Sequence, residues 1–324
     1  MGERERPEEP LVSVVVPLLD EEGCVEELVE RITAALARER VRLELLLVDD
    51  GSSDRTPQLV DLACERQPDR VKAIHFTRSF GHQAALTAGL EHARGDIVIT
   101  MDADLQHPPE LLPDMIERWR HGADVVHAVR RDPGHRQGVV KSGTSRLFYH
   151  LMPLLTDVPI IPASADFRLL DRRVVRRFMD LQEHFVFLRG LVPWLGFAES
   201  RVEYELEPRF AGETKYGWWR MLRLGTNAVF SFSVLPLRII TLLGLGTTVL
   251  GVFYGIFALW AFVTGHIPGP PGWTSLMGVV LIFGGVQMLS LGIVSEYLGR
   301  IYEEVKRRPR YVIDRRRGLD EEAD

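Results

Sequence analysis

This 324-residue chain has few cysteines, few lysines and no glycine-rich phosphate loop, and each shortage excludes something. Cys24 and Cys64 are the only cysteines, and their spacing makes neither a zinc nor a redox motif. They are expected as buried, reduced side chains in a cytosolic domain. No G-x-G-x-x-G follows the first apolar run and no G-K-[ST] occurs anywhere, which argues against a dinucleotide oxidoreductase and against a P-loop kinase or ATPase. Lysine is confined to Lys72, Lys141, Lys215 and Lys306, so arginine carries nearly all the positive charge, a compositional bias rather than a functional signal. The opening "MGERERPEEP" lacks the apolar core of a signal peptide, and Arg6 breaks the myristoylation pattern after Gly2. Residues 1–10 are expected to be disordered. No internal repeat or low-complexity linker is seen.

What is present is mainly apolar. With 46% hydrophobic and 26% charged residues, the chain can build one sizeable globular domain and something more. The net charge of −6 hides an asymmetry, since "KRRPRYVIDRRR" near the C-terminus is strongly basic. From residue 11 to about 129, short apolar runs alternate with polar turns and amphipathic helices: "LVSVVVPL", "RLELLLVDD", "VKAIHF", "DIVITMDAD", "ADVVHAV". This rhythm predicts a mostly parallel sheet flanked by helices, an α/β fold. Val25, Leu28, Val29, Ile32 and Leu36 form one helical stripe against that sheet. Further along, a helix is expected over Val139–Met152, a strand at "SADFRLL", and a helix started by Asp171.

The C-terminal third changes solvent. Ile239 to Val263 carries no charge over more than the roughly 20 residues a bilayer crossing needs. A second span, 273–298, is uncharged as far as Ser295 and follows the turn "GHIPGPPG". The turn has no Lys or Arg while 299–324 is basic, so both ends of this hairpin are expected on the cytoplasmic side, with the basic tail near anionic headgroups. Gly251, Gly255, Gly278, Gly284, Gly285 and Gly292 are candidates for packing the spans together or joining protomers. Residues 215–238 mix aromatics with Arg220, Arg223 and Arg238 and suit an interfacial amphipathic helix.

The chemistry concentrates where apolar runs end. In "IVITMDADLQHPPE", strand alternation would point Asp102 and Asp104 to one side, where two carboxylates repel unless a cation lies between them. A divalent cation site of hard oxygens answers that, and a solvated strand end capping the next helix is the alternative. In "VDDGSSDRT", Asp54 suits a helix N-cap, which leaves Asp49 and Asp50 to be explained at a strand's carboxyl end, where acids of α/β nucleotide folds meet a base or ribose.

These stretches, together with "VVVPLLDEE", "FGHQAALTAGLEHARGD", "FLRGLVPWLGF" and "AGETKY", resemble family-2 glycosyltransferases of GT-A fold. More narrowly they resemble the polyprenyl-phosphate glycosyltransferases, relatives of dolichol-phosphate mannosyltransferase, and the likeness covers nearly the whole chain. The resemblance implies a GT-A-like domain over 11–214 and a membrane-anchored, inverting hexosyltransferase. Its expected donor is UDP-glucose or a related UDP-hexose and its expected acceptor undecaprenyl phosphate; GDP-mannose is the alternative donor. It implies Mg²⁺ or Mn²⁺ on Asp102, Asp104 and Gln106, and places Pro17, Glu21, Asp49, Asp50, Gln83 and Asp102 at the nucleotide. Arg130, Lys141, Arg146 and Arg168 would hold the acceptor phosphate, with Asp104, Asp166 and Arg130 closest to catalysis. A homo-oligomer, possibly tetrameric, in the inner membrane, with no nucleic-acid partner, completes the expectation. Leu19 and Asp20 replace the tyrosine and asparagine common in relatives, and His107 stands where "DLQDPPE" would carry an acid. His107 then has three readings: a helix cap, a residue behind the metal site, or a pH-sensitive contact. His82, Trp194, Lys215 and Tyr216 are weaker candidates, each with a capping, core or membrane-surface alternative. A processive synthase would need more spans and an intact Q-x-x-R-W. A catalytically silent nucleotide-binding scaffold is the reading from another class.

Overall fold

The computed structural model describes residues 6–131, 164–181, 188–205, 235–264 and 272–319. They fall into two units, one built on a sheet that includes the segment from Arg308 onward, the other on the two long C-terminal helices.

The sheet has eight strands: β1 (Leu11–Leu18), β2 (Arg42–Asp49), β3 (Val71–Phe76), β4 (Ile97–Thr100), β5 (Val125–Arg130), β6 (Ser164–Asp171), β7 (Glu199–Tyr204) and β8 (Ile313–Arg317). Their spatial order is β7-β5-β6-β4-β1-β2-β3-β8. The central block β3-β2-β1-β4 is parallel, with Val14 opposite both Leu45 and Ile99. These strands read as unbroken apolar runs because helices cover both faces. Strand β6 runs antiparallel between β4 and β5, and β7 is parallel to β5. Pro17 lacks a backbone donor, and it is accommodated because β1 pairs with β4 only through Val15.

Helices α1 (Val25–Leu36), α2 (Thr56–Arg66), α3 (His82–His92), α4 (Leu112–Arg120), α5 (Arg172–Met179) and α6 (Leu188–Trp194) flank the sheet. The buried residues of α1 are the expected Val25, Leu28, Val29, Ile32 and Leu36. Helix α3 lies so close to β1 that a Cβ on Gly89 would fall 2.1 Å from Val15 Cγ1. Asp171 caps α5 as expected, accepting from the Arg173 amide at 2.9 Å, and its other oxygen accepts the Trp119 indole N–H at 2.8 Å. Cys24 and Cys64 are buried as thiols.

Four expectations change. Residues 6–10 are not disordered: Arg6 donates to the Ala123 carbonyl at 3.1 Å and its guanidinium lies over Trp119. Strand β4 ends at Thr100, before the aspartates. The basic segment after the second span is no free tail, because β8 pairs antiparallel with the outer edge of β3. Arg315 and Arg317 on β8 both reach Asp61 of α2. A polar five-residue edge strand shows no apolar alternation, which is why it reads as a headgroup-binding stretch.

In the second unit, α7 (Leu235–Val263) and α8 (Trp273–Lys306) are both long and apolar enough to cross a membrane, and their large side chains lie open, Leu242 67% and Phe253 68% exposed. Such exposure is costly in water and neutral in hydrocarbon. The described glycines do not knit the pair tightly: a Cβ on Gly251 would only touch Phe283 at 3.9 Å, and one on Gly255, Gly284, Gly285 or Gly292 would meet nothing within 4 Å, while the surroundings of Gly278 lie outside what is described. The fourth correction is that α7 begins at Leu235, inside the stretch assigned to the interfacial helix. The remainder of that helix, and the helix over Val139–Met152, lie outside the described residues.

Candidate active site

Strands β1, β2 and β4 all end on one edge of the sheet, and the loops beyond them build the site. The segment after β4 is a turn, with Leu105 at φ +57°, so the strand argument for Asp102 and Asp104 does not apply literally. Burial nevertheless alternates. Met101, Ala103, Leu105, His107 and Pro109 are packed inside, while Asp102, Asp104, Gln106 and Pro108 reach solvent. The two carboxylates and the glutamine therefore share an accessible side. The Asp104 Oδ1 accepts the Gln106 amide at 3.2 Å and so stiffens the turn.

His107 belongs to the inner side. It is stacked on Phe167 at 5.1 Å between centroids, edge-on to Tyr204, and its Nδ1 accepts the Asp102 backbone N–H at 3.2 Å. That bond makes His107 a support for the Asp102 backbone rather than an exposed ligand.

The centre of the cluster is Asp166 on β6, 2% exposed. Arg189 grips it with two bonds of 3.0 Å, Arg168 stands 3.3 Å away, and the Gln83 amide donates to it at 3.2 Å. His82 Nε2 lies 3.4 Å from both Asp166 Oδ2 and Asp102 Oδ1, linking the cluster to the D-x-D turn. Burial opposes ionisation of Asp166, yet the His82 contact and the charges of Arg189 and Arg168 hold its carboxyl well below the usual carboxylate range. Burial likewise opposes a charged His82, and the bond to Asp166 with the charge of Asp102 raises its proton affinity regardless. Burial lowers Arg168, with Asp166 opposing that effect. The Tyr204 phenol is pushed up to about 12, first by burial and then by the charge of Asp102, while Arg130 pulls it down.

The expected nucleotide residues divide by burial. Asp49 is 2% exposed, accepts the Ser52 amide at 3.0 Å, and faces His75 Nδ1 at 3.0 Å, whose other nitrogen meets Asp61 at 3.2 Å. Asp50 takes the Ser79 hydroxyl at 2.7 Å, the Phe80 amide at 2.7 Å and the Gly81 amide at 3.0 Å. Both hold neighbouring loops through these bonds. Gly51, φ +71°, is needed because a Cβ there would strike the Arg78 backbone carbonyl carbon at 2.5 Å. The loops after β1 and β2 also interlock. Thr56 Oγ1 accepts the Glu21 amide, Asp20 Oδ1 the Ser53 amide, and Asp54 takes the amides of Glu22 and Thr56. Asp54 thus bonds one residue ahead of the formal cap of α2. Gln83, on the first turn of α3, spans from Asp166 to the Leu188 amide.

Among the arginines, Arg168 is the correction. Its side chain is 1% exposed and donates to Asp166 and to the Leu188 carbonyl, so it faces inward rather than toward an acceptor. Arg189, to which the sequence assigned no role, takes the open position beside Asp166 with 40% of its side chain exposed. Only its charge within the apolar run "FVFLRGLVPWLGF" marked it. Arg130 ends β5 opposite Tyr204, and Arg131 pairs with Glu203 on the surface. Trp194 is 58% exposed and is no core aromatic. Lys141, Arg146, Lys215 and Tyr216 lie outside the described residues.

A divalent cation suits this turn. Among the described residues Asp102 Oδ1 is buried and makes no hydrogen bond, its ion-pair contact being His82 Nε2 at 3.4 Å, so a hard cation would complete its environment. Among the described residues no three His, Cys, Asp or Glu side chains converge on one point. The donor set is one or two carboxylates and an amide, the incomplete kind that leaves coordination positions to substrate phosphates and water.

Residues 13–178 match the family model Glycosyl transferase family 2, and residues 235–301 match the model GtrB C-terminal hairpin. The chain is 40% identical over 312 residues to an uncharacterized glycosyltransferase of Synechocystis sp., covering 95% of this chain and 96% of that protein. It is equally 40% identical over 312 residues to the uncharacterized glycosyltransferase YkcC of Bacillus subtilis, covering 95% and 94%. To the SfII prophage-derived bactoprenol glucosyl transferase of Shigella flexneri it is 37% identical over 304 residues, covering 93% and 97%.

Proposed function

Because the chain belongs to glycosyl transferase family 2, we propose that it is a membrane-anchored hexosyltransferase moving one sugar, glucose first among candidates, from a UDP-sugar to a polyprenyl phosphate. The name of the Shigella relative and the match to a GtrB C-terminal hairpin support the glucosyl and bactoprenol parts of this reading. The observation that carries it is the Asp102 carboxylate, one oxygen of which is buried and makes no hydrogen bond among the described residues, beside the Asp166–Arg189 pair on the edge of a parallel sheet where ligands of α/β folds bind.

Asp102, Asp104 and Gln106 would hold Mg²⁺ or Mn²⁺, which supplies Lewis-acid stabilisation of the nucleoside diphosphate. Pro17 and Glu21 line the nucleotide side, on loops shaped by Asp49 and Asp50. Gln83 and His82 stand at the amino end of α3, where N–H groups favour an anion. The acceptor needs little help from a base, since a phosphate monoester with a second pKa of about 6 is already mostly ionised. Its oxygen attacks the anomeric carbon as the bond to the diphosphate breaks and the leaving group takes the electron pair, inverting the centre through an oxocarbenium-like state. Arg130, with Lys141 and Arg146, draws the lipid phosphate in, while Arg189 and Asp166 fix each other and present a guanidinium toward the reacting groups. Arg168 acts from inside by keeping Asp166 ionised.

A membrane anchor would keep the enzyme on the bilayer that carries the acceptor's lipid tail. The positive-inside rule puts the basic segment after α8 on the cytoplasmic side together with the catalytic domain, and the uncharged turn at 265–272 on the other. The test is transfer of radiolabel from nucleotide sugars to undecaprenyl phosphate in the presence of Mg²⁺ or Mn²⁺. Lipid-extractable label from UDP-glucose is expected. Label from GDP-mannose alone would reassign the donor, and nucleotide binding without transfer from any donor would leave the scaffold reading.

A further inference from the structure

The segment that follows the membrane hairpin does more than end the chain. We infer that Arg310–Arg317 is a strap that positions the nucleotide side of the site, acting through Tyr311 on the loop Thr77–Gly81. This rests on the reading above that places the donor against that loop.

Three contacts carry the inference. The Val312 carbonyl accepts the Thr77 amide at 3.1 Å, where the chain leaves β3. The Tyr311 ring is stacked on Phe76, centroids 4.9 Å apart and 12° between planes, and Phe76 meets Phe80 edge-on at 5.8 Å. The Tyr311 hydroxyl donates to Glu91 of α3 at 2.5 Å. The strap thus grips both the start of the loop and the helix whose first turn carries His82 and Gln83. Between these grips Thr77, Arg78 and Ser79 are exposed and have little apolar burial of their own, the mark of a segment that opens locally unless it is held from outside. What the loop does with its order is donate from Ser79, Phe80 and Gly81 into Asp50. A second line runs from the strap to the end of β2, with Arg315 and Arg317 on Asp61, Asp61 on His75, and His75 on Asp49. Both aspartates of "VDDG" are therefore reached from residues more than 260 positions later in the chain. In sequence the strap follows closely on α8, which ends at Lys306.

The test uses the full chain in lipid nanodiscs and two variants. Tyr311→Phe keeps the ring and loses only the hydroxyl bond; Tyr311→Leu keeps bulk and loses the aromatic plane. Hydrogen exchange of peptides spanning 77–84 is expected to quicken roughly three- to tenfold in Tyr311→Leu, the worth of one aromatic pair, with β4 unchanged and Tyr311→Phe close to wild type. The KM for UDP-glucose should rise by a similar roughly three- to tenfold factor while the KM for undecaprenyl phosphate stays put. Unchanged exchange over 77–84 would overturn the strap whatever the donor proves to be. Faster exchange with an unchanged donor KM would overturn its link to the nucleotide. A wild type that turns over another nucleotide sugar counts against the choice of UDP-glucose alone, and the KM arm is then read with the donor it uses.

Discussion

Replacing Asp166 with asparagine isolates the cost of the buried charges at the centre of the site. Asp166→Asn preserves shape and one acceptor oxygen but removes the charge that faces Arg168, whose side chain is 1% exposed, and the half-open Arg189. Removing one partner of a buried pair leaves the other uncompensated and costs about 3–5 kcal/mol. For a domain of this size that is a fall in melting temperature of roughly 6–20 °C. Only Arg168 enters this sum; Arg189 is screened by solvent and is left out. The assay is thermal melting of the purified protein followed by tryptophan fluorescence, for Asp166→Asn, Arg168→Met and the double variant. A buried pair predicts non-additivity, the double variant regaining much of what Asp166→Asn loses. The pH dependence has a definite sign. Asp166 is held below its ordinary value in the folded state, so its contribution is complete above the unfolded carboxylate pKa of about 4 and fades as pH falls below it. The gap between wild type and variant should therefore be full at pH 7 and narrow by pH 3. A loss under about 1 kcal/mol at pH 7, or a gap that ignores pH, would refute the argument that Asp166 compensates Arg168.

Three more outcomes follow. Asp104→Ala should lose transfer by about a hundredfold or more with little change in melting temperature, and full activity in the purified variant would remove the metal-site claim. Arg189→Lys replaces a two-pronged grip with a point charge. Its kcat should fall by about a hundredfold through misplacement of Asp166, with little change in stability because the guanidinium is 40% exposed; retained kcat would show that the fork is unimportant. Cys64, whose thiol is pushed up to about 12 by burial and then by the charge of Asp61, should resist maleimide at pH 8 until the protein unfolds, and rapid labelling of the folded chain would contradict the packing.

The legible part of this fold is the part with a period. Strands β1 and β3 coincide with "LVSVVVPL" and "VKAIHF", and the buried stripe of α1 was readable residue by residue, because covered parallel strands and amphipathic helices write their burial into local order. The placement of β6 between β4 and β5, and the pairing of β8 with β3, depend on register between distant segments and leave no local trace. The site divides along the same line. Asp102, Asp104 and Gln106 sit in one short turn and could be named from it. Arg189 could not, because its meaning is a contact with Asp166 that is 23 positions away in sequence. Asp49 and Asp50 looked available in the sequence because the groups that occupy them, on His75 and the loop 79–81, lie on a neighbouring strand and beyond it. Arg168 misled in the opposite way, since a charged residue in a strand suggests a ligand contact and here it serves an interior pair.

Strand β8 also bears on how the catalytic unit can be handled apart from its anchor. Because the residues from 308 onward belong to the sheet although the hairpin precedes them, the sheet-bearing unit of this protein is discontinuous in sequence. A version cut short before the first span would leave the outer edge of β3 unpaired, a row of bare amides and carbonyls ready to recruit another chain. Aggregation of such a truncation would report a missing strand rather than a missing membrane, and supplying residues 308–319 as a graft or a peptide should restore a monodisperse domain.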